Sequence, residues 1–360
     1  MTSGSSKKPR IAISSKLKTE VEKLTYFDQF VRPNDISKIV LITYKQGFSD
    51  QFSAKRIQEA AINNGWEAIV VGNITTEDAK STNERIIHLL KPDFVIAMHD
   101  VMVVEGTPHY LILHFPDNWF ENTSLSNPNY PNILSYSGFL LSFGDDRFIG
   151  QLDQYFAAHN KPFHHEQFYF SVSKEDAEFR ELDMKRLFFC GTRWDSRRGG
   201  MEYKKLFNLL DQTGYFDVYG PKKSWTDLPS YKGPIAFDHK EFLNAIRKSG
   251  VGLIFHNKEH YLQNIQSTRV FELSAASAMI ISEDMKFIKD NFGDNILYID
   301  PSKSAEEIFA AIDNNMKWII ANPELAKRKA EKANKIFREN FTIEKLLQNV
   351  EKMHRRLQEK

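Results

Sequence analysis

Short apolar runs alternate with amphipathic stretches along most of the chain. In the first half, five runs rich in β-branched and aromatic residues have the length of buried strands. These runs cover residues 38–43, 68–71, 94–98, 110–113 and 139–143. The stretches that join the first three carry apolar residues at helical spacing. The pattern therefore predicts βαβ units and a parallel sheet covered on both faces.

A second alternating series follows a polar, charged stretch at residues 171–183. Its predicted strands cover residues 187–190, 216–219, 251–255, 279–281 and 296–299, and its predicted helices 201–212, 240–248, 269–276 and 305–320. The predicted fold class is α/β, with two Rossmann-like, doubly wound parallel-sheet domains. Two such sheets facing each other would form a cleft, with ligands beyond the carboxyl ends of the strands.

The length of 360 residues also favours two domains, because one core serves roughly 150 residues. The predicted division is a disordered lead-in over residues 1–12, domains over 13–175 and 176–325, and helices over 326–360. We expect these last helices to pack back toward the N-terminal domain.

Composition narrows the classes of function. Lys and Arg number 48 against 47 Asp and Glu, and this balance disfavours nucleic acid as a partner. The single cysteine, Cys190, excludes a disulfide framework and a cysteine-based zinc site. No apolar run approaches the roughly 20 residues of a membrane span, and the polar N-terminus lacks a signal-peptide core. We therefore expect a cytoplasmic protein.

The C-terminal segment is strongly basic. Residues 324–360 hold eleven Lys and Arg against six Glu, with Ala326, Ala330, Ala333 and Phe337 on one predicted helical face. Such a basic amphipathic helix could make peripheral contact with an anionic membrane. The alternative is an ordinary packed helix with a solvated charged face.

The segment that follows the strand at 187–190 has the character of an anion-binding loop. It runs from Gly191 to Gly200 and places Arg193, Arg197 and Arg198 just before a predicted helix. Unpaired N–H groups at a helix start favour anions, and guanidinium groups match phosphate oxygens. The loop would suit a diphosphate. It carries neither the dinucleotide fingerprint nor a Walker sequence, and a solvated basic loop is the alternative.

A second segment, residues 266–281, joins a predicted helix to an apolar strand through small residues. Arg269 and Glu272 are three residues apart and therefore neighbours on one helical face. The carboxylate could accept hydrogen bonds from two ribose hydroxyls while the arginine faces phosphate. A surface ion pair is the simpler alternative.

Together the two segments resemble the nucleotide-sugar-binding half of GT-B glycosyltransferases of group 1, from about residue 185 to residue 347. Gly191-Thr192-Arg193 and Arg198-Gly199 match the Gly-x-Arg and Arg-Gly of the common retaining pattern. The likeness extends to the group related to spore-maturation-protein glycosyltransferases, because residues 269–272 match its Arg-x-Phe-Glu signature.

The resemblance implies a GT-B fold and a set of residues that bind the donor. These are Gly191, Arg193, Arg198, Gly199, Tyr219, Arg269 and Glu272. In the family, the two basic residues of the loop bind the diphosphate, and the Glu binds the ribose. Arg269 would face phosphate or the donor sugar, and Tyr219 lies where the family has its base-binding loop.

One position departs from the family pattern. Many retaining members carry a Glu seven residues before the ribose-binding Glu, where this chain has Ile265. Asn264 or Gln266 could supply a neutral hydrogen bond instead. His256, which follows the strand at 251–255, either contacts the donor or is a structural histidine at the end of the strand.

The N-terminal half is less specific, and the resemblance makes it the acceptor domain. His99 and Asp100 follow the third predicted strand at its carboxyl end, where inverting relatives place a base and retaining members do not. Residues 164–166, His-His-Glu, invite a metal hypothesis. Adjacent residues of a strand point to opposite faces, however, so we predict no metal there.

These observations predict a glycosyltransferase that moves a sugar from a nucleoside diphosphate sugar to a hydroxyl of a glycan, lipid or protein, as in polysaccharide biosynthesis. We expect a retaining hexosyl transfer without a metal or cofactor, with the nucleotide sugar as co-substrate. His99, Asp100 and His256 are the candidate catalytic residues. A nucleotide-sugar epimerase and a non-catalytic nucleotide-sugar-binding protein of the same fold are the alternatives.

Overall fold

The computed structural model describes residues 30–31, 39–44, 48–72, 79–99, 103–113, 133–144, 146–193, 195–235 and 239–359. The chain forms two compact units. Unit 1 consists of the residues up to Ser142, Asp146–Phe168 and Ile343–Lys360, and unit 2 of Phe143–Asp145 and Tyr169–Thr342. Within the described ranges, no helix is both long and apolar enough to cross a membrane.

Unit 1 contains a seven-stranded sheet in the order β1-β3-β2-β4-β5-β6-β7. Its strands are β1 (Phe30–Val31), β2 (Ile39–Tyr44), β3 (Glu67–Gly72), β4 (Phe94–Ala97), β5 (His109–Leu113), β6 (Gly138–Leu141) and β7 (His165–Gln167). All pairs are parallel except the edge strand β1, which pairs antiparallel with β3. The helices are α1 (Phe48–Asn63), α2 (Ala79–Leu90), α3 (Asp146–Ala158) and, from the end of the chain, α12 (Ile343–Gln358).

Unit 2 contains a six-stranded parallel sheet in the order β10-β9-β8-β11-β12-β13. Its strands are β8 (Arg186–Cys190), β9 (Phe216–Tyr219), β10 (Tyr231–Gly233), β11 (Gly250–Ile254), β12 (Met279–Glu283) and β13 (Leu297–Ile299). Its helices are α4 (Met201–Asp211), α5 (Lys222–Trp225), α6 (His239–Ser249), α7 (Lys258–Leu262), α8 (Arg269–Ala275), α9 (Lys286–Phe292), α10 (Ala305–Ala321) and α11 (Pro323–Asn340). The predicted fold class, two Rossmann-like parallel-sheet domains, is confirmed.

Each of the ten strands predicted from apolar runs is present, within two residues at either end. The three strands that the pattern missed are β1, β7 and β10, which have two or three residues each. These short strands lie at the sheet edges, where each pairs with a neighbour on one side only. They are too short to contain an apolar run that the pattern could recognise. The hydrophobic pattern therefore identified the interior of both sheets and the edge strand β13, but missed the other three edge strands.

The units divide the chain at residue 168, where the sequence suggested residue 175. Of the C-terminal helices, α11 belongs to unit 2 and α12 to unit 1. The amide of Asn334, on α11, donates to the carbonyls of Ala177 and Ser274 in unit 2. On α12, the His354 ring is hydrogen-bonded to the Tyr110 hydroxyl in unit 1, at 2.8 Å.

The apolar face of the basic C-terminal segment is buried. Ala326, Ala330, Ala333 and Phe337 of α11 are at most 1% exposed. An interfacial helix needs a free apolar face to enter a membrane. Helix α11 is therefore the packed helix with a charged outer face that we gave as the alternative. The structure gives no support to membrane contact through α11.

Strand order determines where a ligand can bind in each sheet. In unit 2 the chain proceeds from β8 outward through β9 and β10, then returns to the other side of β8 with β11. Loops that leave adjacent strands in opposite directions open a crevice at their carboxyl ends. In unit 2 this point lies between β8 and β11, and in unit 1 it lies between β2 and β4.

Helix α8 approaches this part of the unit 2 sheet very closely. A Cβ placed on Gly252 of β11 would lie 2.1 Å from Cδ2 and 2.8 Å from Cγ of Leu273, both on α8. Only glycine permits this contact, because Leu273 is fully buried and has no space to move into. The close packing holds Arg269 and Glu272 of α8 near the sheet.

We predict that Gly252→Ala lowers the free energy of unfolding by about 1–3 kcal/mol, because the added methyl group overpacks against Leu273. The same change in a Leu273→Ala background should cost much less, since the obstructing atoms are gone. Urea denaturation of the four proteins measures this coupling. Gly150→Ala is the control, because its Cβ meets no atom within 4 Å. Equal costs of Gly252→Ala in both backgrounds would contradict the packing argument.

Candidate functional site

The loop after β8 is organised by the carboxylate of Asp195. Oδ1 of Asp195 accepts hydrogen bonds from the backbone N–H groups of Arg197 and Arg198, at 3.1 and 3.0 Å. Its Oδ2 accepts from Nε of Arg198 at 2.6 Å. The carboxylate is almost fully buried, with 1% of its side chain exposed. Asp195 therefore shapes the loop and orients the Arg198 side chain.

Glycines are required where this loop enters α4. A Cβ on Gly199 would lie 2.7 Å from the carbonyl oxygen of Arg193, and one on Gly200 would lie 2.8 Å from that of Ser196. Gly200 is the N-cap of α4, and no side chain caps that helix. The first N–H groups of α4 therefore remain for water or for an anion. The Arg198 guanidinium lies beside Gly191, with Nη1 3.4 Å from a Cβ placed there.

Arg193 occupies a different environment from Arg198. Its guanidinium stacks over the Trp225 ring, 4.2 Å from the centroid, and its Nη1 donates to both carboxylate oxygens of Asp227. Only 9% of the side chain is exposed. Nε and Nη2 are buried, and no hydrogen-bond partner for them exists among the described residues. Arg193 is thus bound within unit 2 by an aromatic ring and a carboxylate.

The second predicted segment comes close to the loop after β8. Nε of Arg269 donates to the carbonyl of Cys190, at 3.3 Å, and Nη1 forms an ion pair with Glu272. The Arg269 guanidinium also lies over the Phe242 ring. Glu272 is 6% exposed. The structure therefore places Arg269, together with its partner Glu272, at the end of β8.

A buried carboxylate, Glu283 at the end of β12, joins three further elements. It accepts from Nη2 of Arg197 at 2.5 Å and from the Tyr203 hydroxyl at 2.9 Å. It also accepts from the backbone N–H of His256 at 2.7 Å and from its Nδ1 at 2.9 Å. The side chains of Glu283 and His256 are both 0% exposed.

The electrostatics follow from this arrangement. Burial by itself would raise the pKa of Glu283, but the hydrogen bond and charge of His256, together with Arg197, outweigh burial and hold the pKa below its usual range. Burial, reinforced by the neighbouring His256 and Arg198, lowers the pKa of His260 to about 4. The carboxylate is therefore ionised at neutral pH, and His260 is neutral.

Tyr219 lies at the end of β9, where its carbonyl accepts from the N–H of Gly191 at 3.3 Å. The following Gly220 has φ of 142°, and a Cβ there would lie 2.3 Å from the Gly191 carbonyl oxygen. The indole N–H of Trp225 donates to that same oxygen at 2.8 Å. These contacts fix the loop after β9 against the loop after β8.

Ile265, at the position where many retaining relatives have a Glu, is buried. Of its polar neighbours, Asn264 accepts a hydrogen bond from the backbone N–H of Phe287 at 3.3 Å. Gln266 is buried. Asn264 is therefore engaged with α9, and the described residues contain no carboxylate at the family position.

Of the unit 1 candidates, His99 follows β4, which borders the switch point of that sheet, and is partly buried. Asp100 lies outside the described residues. In the predicted His-His-Glu segment, the His165 ring stacks on Phe163 and Glu166 faces Arg356 at 3.8 Å. Within the described ranges, no group of three or more His, Cys, Asp or Glu is placed to hold a metal ion.

The sequence analysis missed Asp195, Glu283 and Asp227. Asp195 carried a local signal, because an Asp side chain commonly accepts from the backbone N–H two residues further on, here that of Arg197. Glu283 and Asp227 carried none, since their partners lie at distant positions in the chain. Only the fold brings such pairs together.

We predict that Asp195→Asn lowers the free energy of unfolding by about 1–3 kcal/mol at pH 7, because two buried N–H groups and Arg198 lose a charged partner. Burial raises the pKa of Asp195, but hydrogen bonds and charge from Arg198 outweigh it, so the pKa is held below its usual range. Since the folded pKa is depressed, this stability is present above the unfolded pKa, about 3.9, and is lost as the pH falls through the folded pKa.

Urea denaturation between pH 7 and pH 3.5 measures the difference in free energy of unfolding between the wild type and Asp195→Asn. This difference should become smaller at the acid end of the pH range over which the wild type stays folded. Asp183→Asn is the matched control, because the Asp183 side chain is 69% exposed and pairs with an exposed Lys185. A difference that stayed constant over this range would contradict the assignment.

The chain was also compared with known protein families and curated proteins. Residues 197–352 match the family model described as glycosyl transferase-like. No curated protein matches the chain significantly.

The fold is similar to those of solved glycosyltransferases. A glycosyltransferase from Rickettsia africae ESF-5 has a TM-score of 0.59 at 12% identity, covering 89% of this chain and 98% of that one. An α,α-trehalose 6-phosphate synthase from Burkholderia multivorans has a TM-score of 0.58 at 11% identity, covering 90% and 99%. An E. coli protein described as trehalose-6-phosphate bound with UDP-2-fluoro glucose has a TM-score of 0.56 at 12% identity, covering 88% and 99%. Residues 197–352 are thus similar to glycosyl transferase-like proteins, and the chain shares the fold of these solved structures.

Proposed function

We propose that the chain is a nucleotide-sugar-dependent glycosyltransferase that moves a hexosyl group to a hydroxyl of a glycan, lipid or protein acceptor. The observation that supports this proposal most directly is the arrangement at the switch point of the unit 2 sheet. There Arg198 lies beside Gly191, and Arg269, paired with Glu272, donates to the carbonyl of the preceding residue, Cys190.

The diphosphate of the donor would bind at the start of α4. Arg198 is oriented by Asp195 and lies beside Gly191, close to the uncapped N-terminus of the helix. As the bond to the sugar breaks, negative charge grows on the leaving diphosphate. A guanidinium and a helix N-terminus, already fixed in place, stabilise that charge without a bound metal.

The nucleoside would be held by Glu272. Its buried carboxylate is fixed by Arg269, which is itself fixed to the carbonyl of Cys190. A carboxylate in this position accepts hydrogen bonds from two ribose hydroxyls, and Arg269 remains near the phosphates. Tyr219, at the end of β9, lies on the side where the base would bind.

UDP-glucose is the first donor to test, because the similar E. coli protein is described as bound with UDP-2-fluoro glucose. We propose a retaining course on the strength of the family resemblance. Unit 1 would bind the acceptor, with His99 just beyond the carboxyl end of β4. Asp100 remains a sequence-based candidate. His256 would act on the donor side.

Isothermal titration calorimetry with UDP tests the diphosphate site. Arg198→Ala should weaken UDP binding by about 10- to 100-fold, the value of one or two charge-assisted hydrogen bonds. Lys205→Ala is the matched control, because Lys205 is an exposed cation on the same helix, paired with Glu306 at the surface. UDP affinity equal to the wild type in Arg198→Ala would remove Arg198 from the site.

The same titration decides the role of Arg193. A loss of UDP affinity comparable to that of Arg198→Ala would support the phosphate role that the sequence suggested. Wild-type affinity together with a lower melting temperature would assign Arg193 to packing against Trp225 instead.

We predict that Glu272→Gln raises KM for UDP-glucose about tenfold or more, or abolishes turnover, without unfolding the protein. The amide cannot replace the carboxylate as an acceptor for both ribose hydroxyls. Glu306→Gln, an exposed carboxylate on α10, is the control. Turnover is measured as UDP release, with and without acceptor glycans, over a panel of UDP- and GDP-sugars. Binding without UDP release or sugar conversion would favour a non-catalytic protein, and sugar conversion without acceptor would favour an epimerase.

A further inference from the structure

Three aromatic rings and one guanidinium form a continuous row near the end of β8. Tyr219 packs against Phe188 at a centroid distance of 5.2 Å, and Phe188 meets Phe242 edge-to-face at 5.6 Å. The Arg269 guanidinium lies over the Phe242 ring, with Cζ 4.2 Å from the ring centroid. Phe242, from α6, thus lies between a buried ring of β8 and the cation of α8.

Phe242 does not belong to the buried face of its own helix. Helix α6 packs against β8, β11 and α8, and its Leu243 and Ile246 are fully buried. Phe242, which precedes them, is only partly buried. A change at Phe242 therefore leaves the residues that hold α6 on the sheet in place.

The guanidinium of Arg269 is restrained within its own plane as well. Nε donates to the carbonyl of Cys190 at 3.3 Å, and Nη1 forms an ion pair with Glu272. Nη2 takes part in neither bond, and 25% of the Arg269 side chain is exposed. The group is therefore fixed along two edges and on one face, while part of it remains accessible to a ligand.

Stacking on a ring and hydrogen bonding to an anion use different parts of a guanidinium. The ring attracts the cation through one face, whereas the N–H groups point outward in the plane. Phe242 therefore does not compete with a phosphate for Arg269. A flexible side chain that must be ordered during binding lowers the affinity, and a side chain that is already ordered avoids this loss.

We propose that Phe242 is a positioning residue of the donor site. Its ring holds the Arg269 guanidinium at the end of β8, so that Nη2 is ready to donate to the diphosphate when the donor binds. The identity of this ligand rests on the proposed function. Because Phe242 also contacts Phe188, which packs against Tyr219, the row fixes the phosphate side of the site relative to the side proposed for the base.

Hydrogen exchange of the arginine Nε–H groups, followed by NMR, tests the positioning without any ligand. The signals missing from Arg269→Gln and Arg355→Gln identify the two side chains. We expect the Nε–H of Arg269 to exchange about tenfold or more slowly than that of Arg355, whose side chain is 65% exposed. Equal exchange rates in the wild type would overturn the proposal.

Phe242→Leu keeps an apolar side chain and removes the aromatic face. We expect the Nε–H of Arg269 to exchange several-fold faster in this variant, and at the wild-type rate in Phe242→Tyr, which keeps the ring. Phe309→Leu is the matched control, the same change at a partly buried ring of α10 that packs on the core of unit 2. It should leave exchange at Arg269 unchanged.

Unchanged exchange at Arg269 in folded Phe242→Leu would overturn the positioning role. If that variant does not fold, Phe242→Met replaces it, because methionine is also apolar and has no ring. If neither variant folds, the wild-type exchange rates decide.

Calorimetric titration with UDP tests the effect on the ligand. Phe242→Leu should weaken UDP binding about 3- to 10-fold, the cost of ordering one long side chain, and Phe309→Leu should not. In an Arg269→Gln background, Phe242→Leu should cause no further loss, because the cation that it positions is gone. Equal losses in both backgrounds would overturn the proposal, since a structural defect acts without Arg269.

The two kinds of measurement separate this proposal from the proposed function. Wild-type protein that binds neither UDP nor UDP-glucose would overturn the proposed donor, and the exchange rates would then decide by themselves whether Phe242 positions Arg269. UDP affinity unchanged in both Arg269→Gln and Phe242→Leu would overturn the role of Phe242 at the donor and leave the proposed function in place.

Discussion

A single buried carboxylate determines how the unit 2 site is built. Glu283 has no access to water, so its charge needs partners from the protein, and these come from three other elements. Arg197 comes from the loop after β8, Tyr203 from α4 and His256 from the segment after β11. Removing a partner would leave a buried charge uncompensated, which costs several kcal/mol. The loops at the switch point are therefore held in one arrangement.

The three arginines of the loop after β8 have different partners. Arg197 neutralises Glu283, and Arg193 lies against Trp225 and Asp227. Arg198, oriented by Asp195, is directed toward Gly191 at the uncapped start of α4. A cluster that looks uniformly basic in the sequence thus occupies three environments, and Arg198 is the cation of this loop that lies beside Gly191. Arg269, fixed by the Cys190 carbonyl, is a second cation at the end of β8.

The close packing of α8 explains why Arg269, the second cation, lies at the end of β8. Gly252 lets Leu273 rest directly on β11, and this contact carries Arg269 and Glu272 to the end of β8. The same tight interior buries Ile265, where relatives have a carboxylate. The proposed donor site therefore lacks that carboxylate among the described residues.

The sequence by itself determined the interior of both sheets, because a buried parallel strand requires a continuous apolar run that is visible locally. It also singled out Arg198, Arg269 and Glu272 as candidates, because their motifs are short and contiguous. Only the tertiary structure decided which partners the charged groups have. Arg193 and Asp227 are 34 residues apart, and Arg197 and Glu283 are 86 apart. No local pattern records such pairs, since they form only when strand order brings the segments after β8, β9, β11 and β12 together.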